Sequence, residues 1–246
     1  MALFKSQLAT QVSGSVGGTT YSHSPSGMYM RARSIPVNPQ TARQIILRNA
    51  VAMFSQQWFS VLTQVQRDAW DVYGASVSLI NRLGDSFFAS GQNHYIRANV
   101  SRLQANNQLA LSPGLAEVSD APTVFMLPTI GSVPVSFSSA GTGTAAVVFD
   151  DTQAWVNDAD NALLIYEGRP RSASRKFFKG PYRLLGVIRG DATTPPTSPT
   201  NISNVDSAYP VTAGQVVKAR ACLSVGAAGD QPTGLSGQFL SESVVV

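Results

Sequence analysis

The sequence predicts a mixed α+β fold. We expect an extended arm over residues 1–40, a small three-helix domain over 41–106, a linker over 107–122 and an antiparallel β-sandwich over 123–246. Residues 11–33 are rich in Gly, Ser and Thr and follow no helical period, whereas residues 41–106 place apolar side chains at helical spacing. The later residues form short apolar runs that turn residues separate, which is typical of antiparallel strands. A chain of 246 residues is long enough to bury an adequate core.

The arm is predicted to form a loose hairpin. Residues 19–21 and 28–31 have strand-like composition, and the segment Ser24-Pro25-Ser26-Gly27 between them is typical of a turn. A two-stranded hairpin with few large apolar residues is marginal in water. We therefore expect the arm to lie on another surface, either the helices of its own chain or a neighbouring subunit.

The first predicted helix begins after a Thr41 N-cap and runs to about Phe59 without Gly or Pro. It follows the segment Ile-Pro-Val-Asn-Pro at 35–39, in which the prolines enforce an extended backbone. Apolar residues occupy most of its circumference. A helix of this kind is usually covered on more than one side, which indicates a subunit contact in so small a domain.

Two further helices follow. Thr63 and Gln66 have the spacing of a capping box, so the second helix is predicted to begin there. Its predicted inner face consists of Val65, Ala69, Val72 and Tyr73. The third helix is predicted to begin near Ser90, and its inner face consists of Ile96, Val100 and Leu103, with Arg97 and Ser101 facing outward.

The C-terminal half carries the strand pattern. Its segment 210–230 has the order of a turn, an apolar strand and a Gly-rich loop, and it resembles the E–F turn, strand F and F–G loop of a fibronectin type III-like domain. The resemblance implies an immunoglobulin-like or fibronectin III-like sandwich. Val216 stands where that family usually has a corner tyrosine. The single cysteine, Cys222, lies within the predicted strand and is expected to be a small apolar core residue.

Short motifs recur in order along the first hundred residues. They are GGTTY at 17–21, YMRAR at 29–33, PVNPQT at 36–41, Gln44 with Arg48, Leu62-Thr63 followed by QRDAW at 66–70, and GQNHYIRAN at 91–99. Their order and spacing resemble a recurring N-terminal module of uncharacterised phage and prophage-encoded proteins. The resemblance implies a virion-associated protein and supplies no catalytic residues.

Positive charge is concentrated in the front of the chain. The first 110 residues contain nine Lys or Arg and three Asp, a net charge of +6, whereas the remainder contains nine basic and eleven acidic residues, a net charge of −2. The predicted contact patch consists of Tyr21, Tyr29, Arg31, Arg33, Arg43 and Arg48. Arginine binds both phosphates and carboxylates, so packaged nucleic acid and an acidic protein surface are both suitable partners. Alternatively, the arginine stems cover apolar surface.

Residue patterns for catalysis or metal binding are absent from the sequence. His23 and His94 have no Cys, Asp or Glu at metal-ligand spacing, and the glycines at 14–18 lack the Lys-Ser/Thr of a phosphate-binding loop. The carboxylates at 150, 151, 158 and 160 do not follow a calcium-loop pattern, so solvated turns are the preferred interpretation. We therefore expect no catalytic residues, no cofactor, no metal and no enzymatic activity.

These observations together predict an auxiliary phage virion protein made in the host cytoplasm. We expect a capsid decoration or vertex protein, or a connector or tail accessory, whose partners are capsid, portal or tail proteins and further copies of itself. No apolar run approaches the roughly 18–20 residues of a membrane-spanning helix, so no membrane partner is expected. The alternative is a nucleic-acid-binding protein that uses the basic front half. A helix-turn-helix is not expected, because more than ten residues separate the second and third helices.

Overall fold

The computed structural model describes residues 2–3, 12–24, 27–35, 37–80, 85–130, 135–141, 144–172, 174, 180–203, 215–226, 234–235, 239–240 and 244–245. Within these ranges, three α-helices and many antiparallel strands in several sheets confirm the predicted mixed α+β class. The backbone contacts divide the chain into an N-terminal unit, Met1–Thr41, and a main unit, Ala42–Val246. The boundaries predicted between helical domain, linker and sandwich stay a prediction.

The N-terminal unit is a four-stranded antiparallel sheet. Its strands are β1 (Ala2–Leu3), β2 (Gly14–Val16), β3 (Thr19–Ser24) and β4 (Gly27–Ala32), in the order β1-β4-β3-β2. The expected pairing of residues 19–21 with 28–31 is confirmed, because Tyr21 lies opposite Met30 and Thr20 lies opposite Arg31. None of the side chains that the structure describes in this unit is buried, so this part of the sheet has no core of its own.

The main unit begins with α1 (Ala42–Ser60), α2 (Gln64–Ser76) and α3 (Gly91–Leu109), and a hairpin of β5 (Ser78–Ile80) and β6 (Ser86–Phe88) lies between α2 and α3. The predicted capping box is confirmed: Thr63 Oγ1 accepts from the Gln66 amide, and Gln66 Oε1 accepts from the Thr63 amide. Both α1 and α2 pack on α3. Their shared core is aromatic and includes Phe54, Trp58, Trp70, Tyr73 and Tyr95.

The inner face predicted for α2 was largely wrong. Val65, Ala69 and Val72 are exposed, whereas Trp70 and Tyr73 are buried. The two rings pack edge to face at 5.8 Å between centroids and fill the space against α3. Because aromatic side chains bury more apolar area than valine, the aromatic stripe occupies the inside and the valine stripe is left outside.

The outward face predicted for α3 was also wrong. Ser101 is buried and Arg97 is half-buried, because α3 has a second neighbour on the side away from α1 and α2. That neighbour is the β-sheet region, in which Ala162, Leu164 and Leu184 form a buried cluster with Ala105 of α3.

The remaining strands form three antiparallel sheets. They are β7 (Ser136–Gly141), β8 (Thr144–Val148), β9 (Ala162–Gly168), β10 (Arg171–Ser172), β11 (Tyr182–Arg189), β12 (Thr200–Ser203), β13 (Gln215–Val217), β14 (Ala219–Val225), β15 (Gly234–Leu235), β16 (Phe239–Leu240) and β17 (Val244–Val245). One sheet has the order β12-β8-β7 and another the order β10-β13-β17. The largest has the order β11-β9-β14-β15, with β16 also paired to β14.

The sheet that contains β9 is covered on both faces. Leu163 and Ile165 join a hydrophobic cluster with Val147 of β8, against which Ile202 of β12 also packs. The alternate residues face α3, and Cys222 is buried opposite Leu164 on the neighbouring strand, as predicted for a core residue. A strand that is covered on both faces needs apolar residues at consecutive positions, which explains the run Ala-Leu-Leu-Ile at 162–165.

An ion pair formed by the buried Arg102 and the partly exposed Asp160 helps to fix α3 to this sheet. Arg102 Nη2 lies 2.5 Å from Asp160 Oδ1, and Nη1 donates to Ser224 Oγ on β14 at 2.9 Å. The remaining guanidinium nitrogen, Nε, donates to the Ala116 carbonyl, and the Ala116 amide donates to Asp160. The described helices include none long and apolar enough to cross a membrane.

Candidate assembly interface

Large exposed apolar side chains are confined to the front of the described chain. Those in the N-terminal unit are Val16, Met30, Ile35 and Val37, and those in the main unit are Ile45, Leu47, Val51, Met53, Phe59, Val61, Val65, Val72, Ile80, Phe87, Phe88, Phe125 and Met126. No large apolar side chain that the structure describes beyond position 126 is exposed to this degree. Extensive exposed apolar surface marks sites of protein association.

Helix α1 leaves much of its apolar circumference uncovered. Ala50, Phe54 and Trp58 are buried, but Leu47 and Val51 are 41% and 42% exposed, and Phe59 at the C-terminal end is 71% exposed. In the single chain α3 is covered on two sides, whereas α1 packs on α3 and contacts β11 through the Arg43 side chain. The subunit contact predicted for α1 stays a prediction, and the surface that it requires is present.

Helix α2 carries a second exposed stripe. Val65 and Val72 are 78% and 56% exposed, and Ala69 lies between them on the same side of the helix. Asp68 is exposed beside this stripe and accepts from Gln64 Nε2 at 2.6 Å. In the sequence of α2, the valines and the aromatic residues lie on different sides of the helix. The larger side chains, Trp70 and Tyr73, mark the buried side, so the valines mark the exposed one.

The β5–β6 hairpin was not predicted from the sequence. Ile80 pairs with Ser86 and Ser78 pairs with Phe88, so Ile80 and Phe88 project from the same face, and both are exposed. Phe87 lies on the other face opposite Leu79. Short apolar runs on both sides of Gly84-Asp85 are a hairpin signal that the composition of this segment contained.

The structure distributes the six predicted contact residues over two units and several surfaces. Tyr29 and Arg31 alternate on one face of β4, whereas Tyr21 pairs with Met30 on the opposite face of that sheet. Arg33 follows β4 and is exposed, and its amide donates to the Gly18 carbonyl.

The other two predicted contact residues lie on α1 in the main unit. Arg43 is half-buried, and its Nη1 donates to the Leu184 carbonyl of β11 at 3.2 Å. Arg48 is exposed. Arg43 therefore serves a contact within the main unit, while Arg48 remains on its surface.

Much of the remaining positive charge in the front half is turned inward. Arg67 Nη1 donates to the carbonyls of Trp58 and Leu62 at 3.1 and 3.0 Å, where it caps the end of α1. Arg102 forms the ion pair with Asp160, and burial lowers the pKa of Arg97. The net charge of +6 therefore does not correspond to an equally basic surface.

The titratable groups in the helical core contact other side chains of the protein. Burial, reinforced by the nearby charge of Arg97, lowers the pKa of His94 to about 4, so its imidazole is neutral at neutral pH. Its ring lies edge-on to Tyr73 at 5.1 Å. Burial raises the pKa of Tyr95, as does its hydrogen bond to Glu117. These contacts hold the helical core together.

The acidic turns of the β region bind protein groups. Asp150 accepts from Thr152 and Gln153, Asp151 accepts from the Ser198 amide, and Asp158 accepts from the Asp160 amide. In the part of the chain that the structure describes, no group of three His, Cys, Asp or Glu side chains is arranged to hold a metal ion.

No protein-family model, curated protein or solved structure matches this chain. The distribution of exposed apolar and charged side chains is therefore the basis for inferring its function.

Proposed function

We propose that this chain is a non-enzymatic structural component of a phage virion. It docks into the particle through its N-terminal arm and helices and presents a C-terminal β-sandwich. The observation that carries the proposal is the confinement of exposed large apolar side chains to residues 16–126 among those described. The ordered motifs of the first hundred residues also support it. The chain is then a capsid decoration or vertex protein, or a connector or tail accessory. Such a protein docks through one part, presents another, and binds capsid, portal or tail proteins.

The N-terminal sheet supplies one docking surface. Tyr21 and Met30 lie opposite each other on one face, and Met30 is exposed, while Tyr29 and Arg31 lie on the other face. A sheet whose described side chains include none that is buried gains little stability by itself. Contact with a neighbouring protein covers the apolar face and leaves the Arg31 face for an acidic surface or for solvent.

The presented region is a fibronectin III-like sandwich. Two antiparallel sheets share one hydrophobic cluster, and the chain passes from β7 and β8 in the first sheet to β9 and β11 in the second, back to β12 in the first and on to β14 in the second. This alternation is the pattern of Greek-key connections in such sandwiches. Because its described surface has few large apolar side chains, the sandwich suits a position facing solvent.

Nucleic-acid binding is the rival proposal, and the concentration of positive charge before residue 110 favours it. It is less well supported because Arg43, Arg67 and Arg102 donate to groups of the protein itself. Binding to duplex DNA whose log affinity falls steeply and linearly with log salt concentration would support the rival. If the affinity for duplex DNA shows no such dependence on salt concentration, the nucleic-acid-binding proposal is wrong.

The copy number in purified particles tests the proposed function. In the phage that encodes the chain, we expect Tyr21→Asp/Met30→Asp to reduce the copy number at least about tenfold, because two charges enter the apolar docking face. Ala192→Asp/Thr194→Asp adds the same charges at exposed positions of the β region and should leave the number unchanged. Quantitative mass spectrometry of the particles measures both. An unchanged copy number for the arm variant, or no wild-type chain in the particles, would overturn the proposal.

A further inference from the structure

The β region contains a small cavity that reaches the surface. Buried side chains line its inside and more exposed ones line its mouth: Pro128, Trp155, Leu223 and Val225 inside, and Thr129 and Gln153 at the mouth. The volume of the cavity is about 40 Å³. Because one water-sized group needs about 10–15 Å³, the cavity admits about three non-hydrogen atoms. It therefore suits the end of a small, largely apolar group.

The indole N–H of Trp155 is an unsatisfied polar group beside this cavity. Trp155 is 3% exposed, and its Nε1 is buried with no hydrogen-bond acceptor among the described residues. Trp70, buried in the helical core, instead donates its indole N–H to the Ser119 carbonyl at 3.0 Å. A buried donor without an acceptor is unfavourable. The cavity that the Trp155 ring lines is therefore suited to a group that brings an acceptor oxygen.

The amide of Gln153 at the mouth is oriented by a buried carboxylate. Gln153 Nε2 donates to Asp150 Oδ2 at 2.9 Å, and Asp150 is held in turn by the Thr152 hydroxyl, which donates to Oδ1 at 2.6 Å. Asp150 is only 6% exposed. Because Nε2 is engaged by this carboxylate, Oε1 is the atom with which Gln153 can accept from the N–H of a ligand.

We propose that this cavity binds the acetamido group of an N-acetylated amino sugar. The carbonyl oxygen of the group accepts from Trp155 Nε1, and its N–H donates to Gln153 Oε1. Its methyl contacts the apolar side chains of Leu223 and Val225. The acetyl part has three non-hydrogen atoms, which matches the size of the cavity. The inference goes beyond the proposed function and does not depend on it.

The size and the mouth of the cavity favour a sugar over a peptide as the carrier of this amide. An internal peptide bond has a Cα on either side, and a cavity for about three atoms has no room for the amide and both flanks. Acetylated lysine ends in the same group but brings an apolar stem. The mouth is polar, because Thr129 is exposed there and the exposed Thr152 precedes Gln153. Such a mouth suits the hydroxyls of a sugar ring.

Two-dimensional ¹H–¹⁵N NMR of the full chain tests the site, with its three tryptophan indole signals individually assigned. We expect N-acetylglucosamine to move the Trp155 indole signal to lower field with a dissociation constant of about 1–10 mM, because a group of few atoms binds weakly. The Trp70 N–H already donates to the Ser119 carbonyl, so its signal should stay in place. Glucose has the same ring without the acetamido group, and as the matched control ligand it should move neither signal.

A substitution at the mouth tests the contact with the N–H of the ligand. Gln153→Ala removes the acceptor Oε1 and should raise the dissociation constant for N-acetylglucosamine at least about threefold. Gln56→Ala removes the same atoms at an exposed position of α1 and should leave the constant unchanged. Because Gln153→Ala also removes the bond to Asp150, thermal unfolding verifies that the variant is folded at the temperature of the titration.

Three results would overturn the proposal. An unmoved Trp155 signal at about 100 mM N-acetylglucosamine, well above the expected dissociation constant, would mean that the cavity does not take the group. Equal movement with glucose would mean that the acetamido group is not recognised. Tighter binding of N-acetyl-lysine amide than of the sugar would assign the cavity to acetylated peptides instead. The titration uses the purified chain alone, so its outcome and that of the particle experiment are independent.

Discussion

The β region and the helices use apolar residues in opposite ways. Leu163, Leu164 and Ile165 are fully buried because their sheet lies between α3 and a second sheet, so consecutive side chains find a neighbour on either face. Val65 and Val72 of α2 are exposed because they lie on the side of the helix away from Trp70 and Tyr73, by which α2 packs on α3. Apolar side chains are thus covered in the β region and partly uncovered on the helices. The number of covering layers, and not the apolar content, separates a region whose apolar side chains are all covered from one that leaves large apolar side chains exposed.

The largest effect is expected where the two regions join. Arg102→Ala removes the bonds to Asp160, Ser224 and the Ala116 carbonyl and leaves the buried Ser224 hydroxyl without this donor, while Asp160, 31% exposed, keeps the Ala116 amide. We expect the free energy of unfolding to fall by about 3–5 kcal/mol, because the substitution also empties the space of a large buried side chain. Guanidinium denaturation measures it. Arg169→Ala, at an exposed position, is the control, and a loss of less than about 1 kcal/mol for Arg102→Ala would show that the ion pair does not hold the regions together.

A matched pair of leucines probes the comparison directly. Leu164→Ala opens a cavity between β9 and α3 and should cost about 2–5 kcal/mol of unfolding free energy. Leu47→Ala removes the same atoms from an exposed site, so we expect less than about 1 kcal/mol in the isolated chain. Urea denaturation of both variants at low protein concentration measures the difference. Equal losses would mean that Leu47 is as well covered in solution as Leu164.

Acid should destabilise the helical core. Because the folded pKa of His94, about 4, lies below its ordinary value of 6.5, the unfolded chain binds the proton more readily. Stability from this residue is complete above pH 6.5 and is lost as the pH falls toward 4, by about 2–3 kcal/mol. Carboxylates titrate in the same range, so the informative quantity is the difference in pH slope between wild type and His94→Phe, measured by urea denaturation. Identical pH slopes for wild type and His94→Phe would show that protonation of His94 does not contribute to the loss of stability in acid.

The smallest effect concerns the turn that orients α2. Thr63→Ala removes the hydroxyl that accepts from the Gln66 amide, so we expect a loss of about 1 kcal/mol. Thr194→Ala, an exposed threonine of the β region, should change stability by less than about 0.5 kcal/mol. Thermal unfolding followed by circular dichroism compares the two. If both variants unfold like wild type, the capping box does not contribute to the stability of the fold that holds α2 in place.

Local signals in the sequence identified local structure well. The Thr63–Gln66 capping box, the strands at 19–21 and 28–31, and the burial of Cys222 depend on a few neighbouring residues, and all three predictions are confirmed. The faces of the helices were harder to predict. Periodicity shows which side of α3 is apolar, but the burial of Ser101 and Arg102 depends on a sheet that lies more than fifty residues further along the chain.

The same limit applied to the candidate interface. Val65 and Val72 have the spacing of a core stripe and were predicted to share a face with Tyr73, but the volume of Trp70 turns the buried face toward Trp70 and Tyr73 and away from the valines. The sequence shows the positive charge of the front half. It does not show that the side chains of Arg43 and Arg67 donate to backbone carbonyls, because folding brings those carbonyls near them.

Oxidative footprinting of the protein in particles tests the central claim most directly. Hydroxyl radicals label exposed Met and aromatic side chains, so the chain is compared in purified virions and in solution at concentrations where it is monomeric. The account predicts that Met53, Phe59 and Phe88 become protected in virions, while Tyr182 of the β region is labelled equally in both. Equal labelling of the helical residues in both samples, or protection confined to the β region, would contradict it.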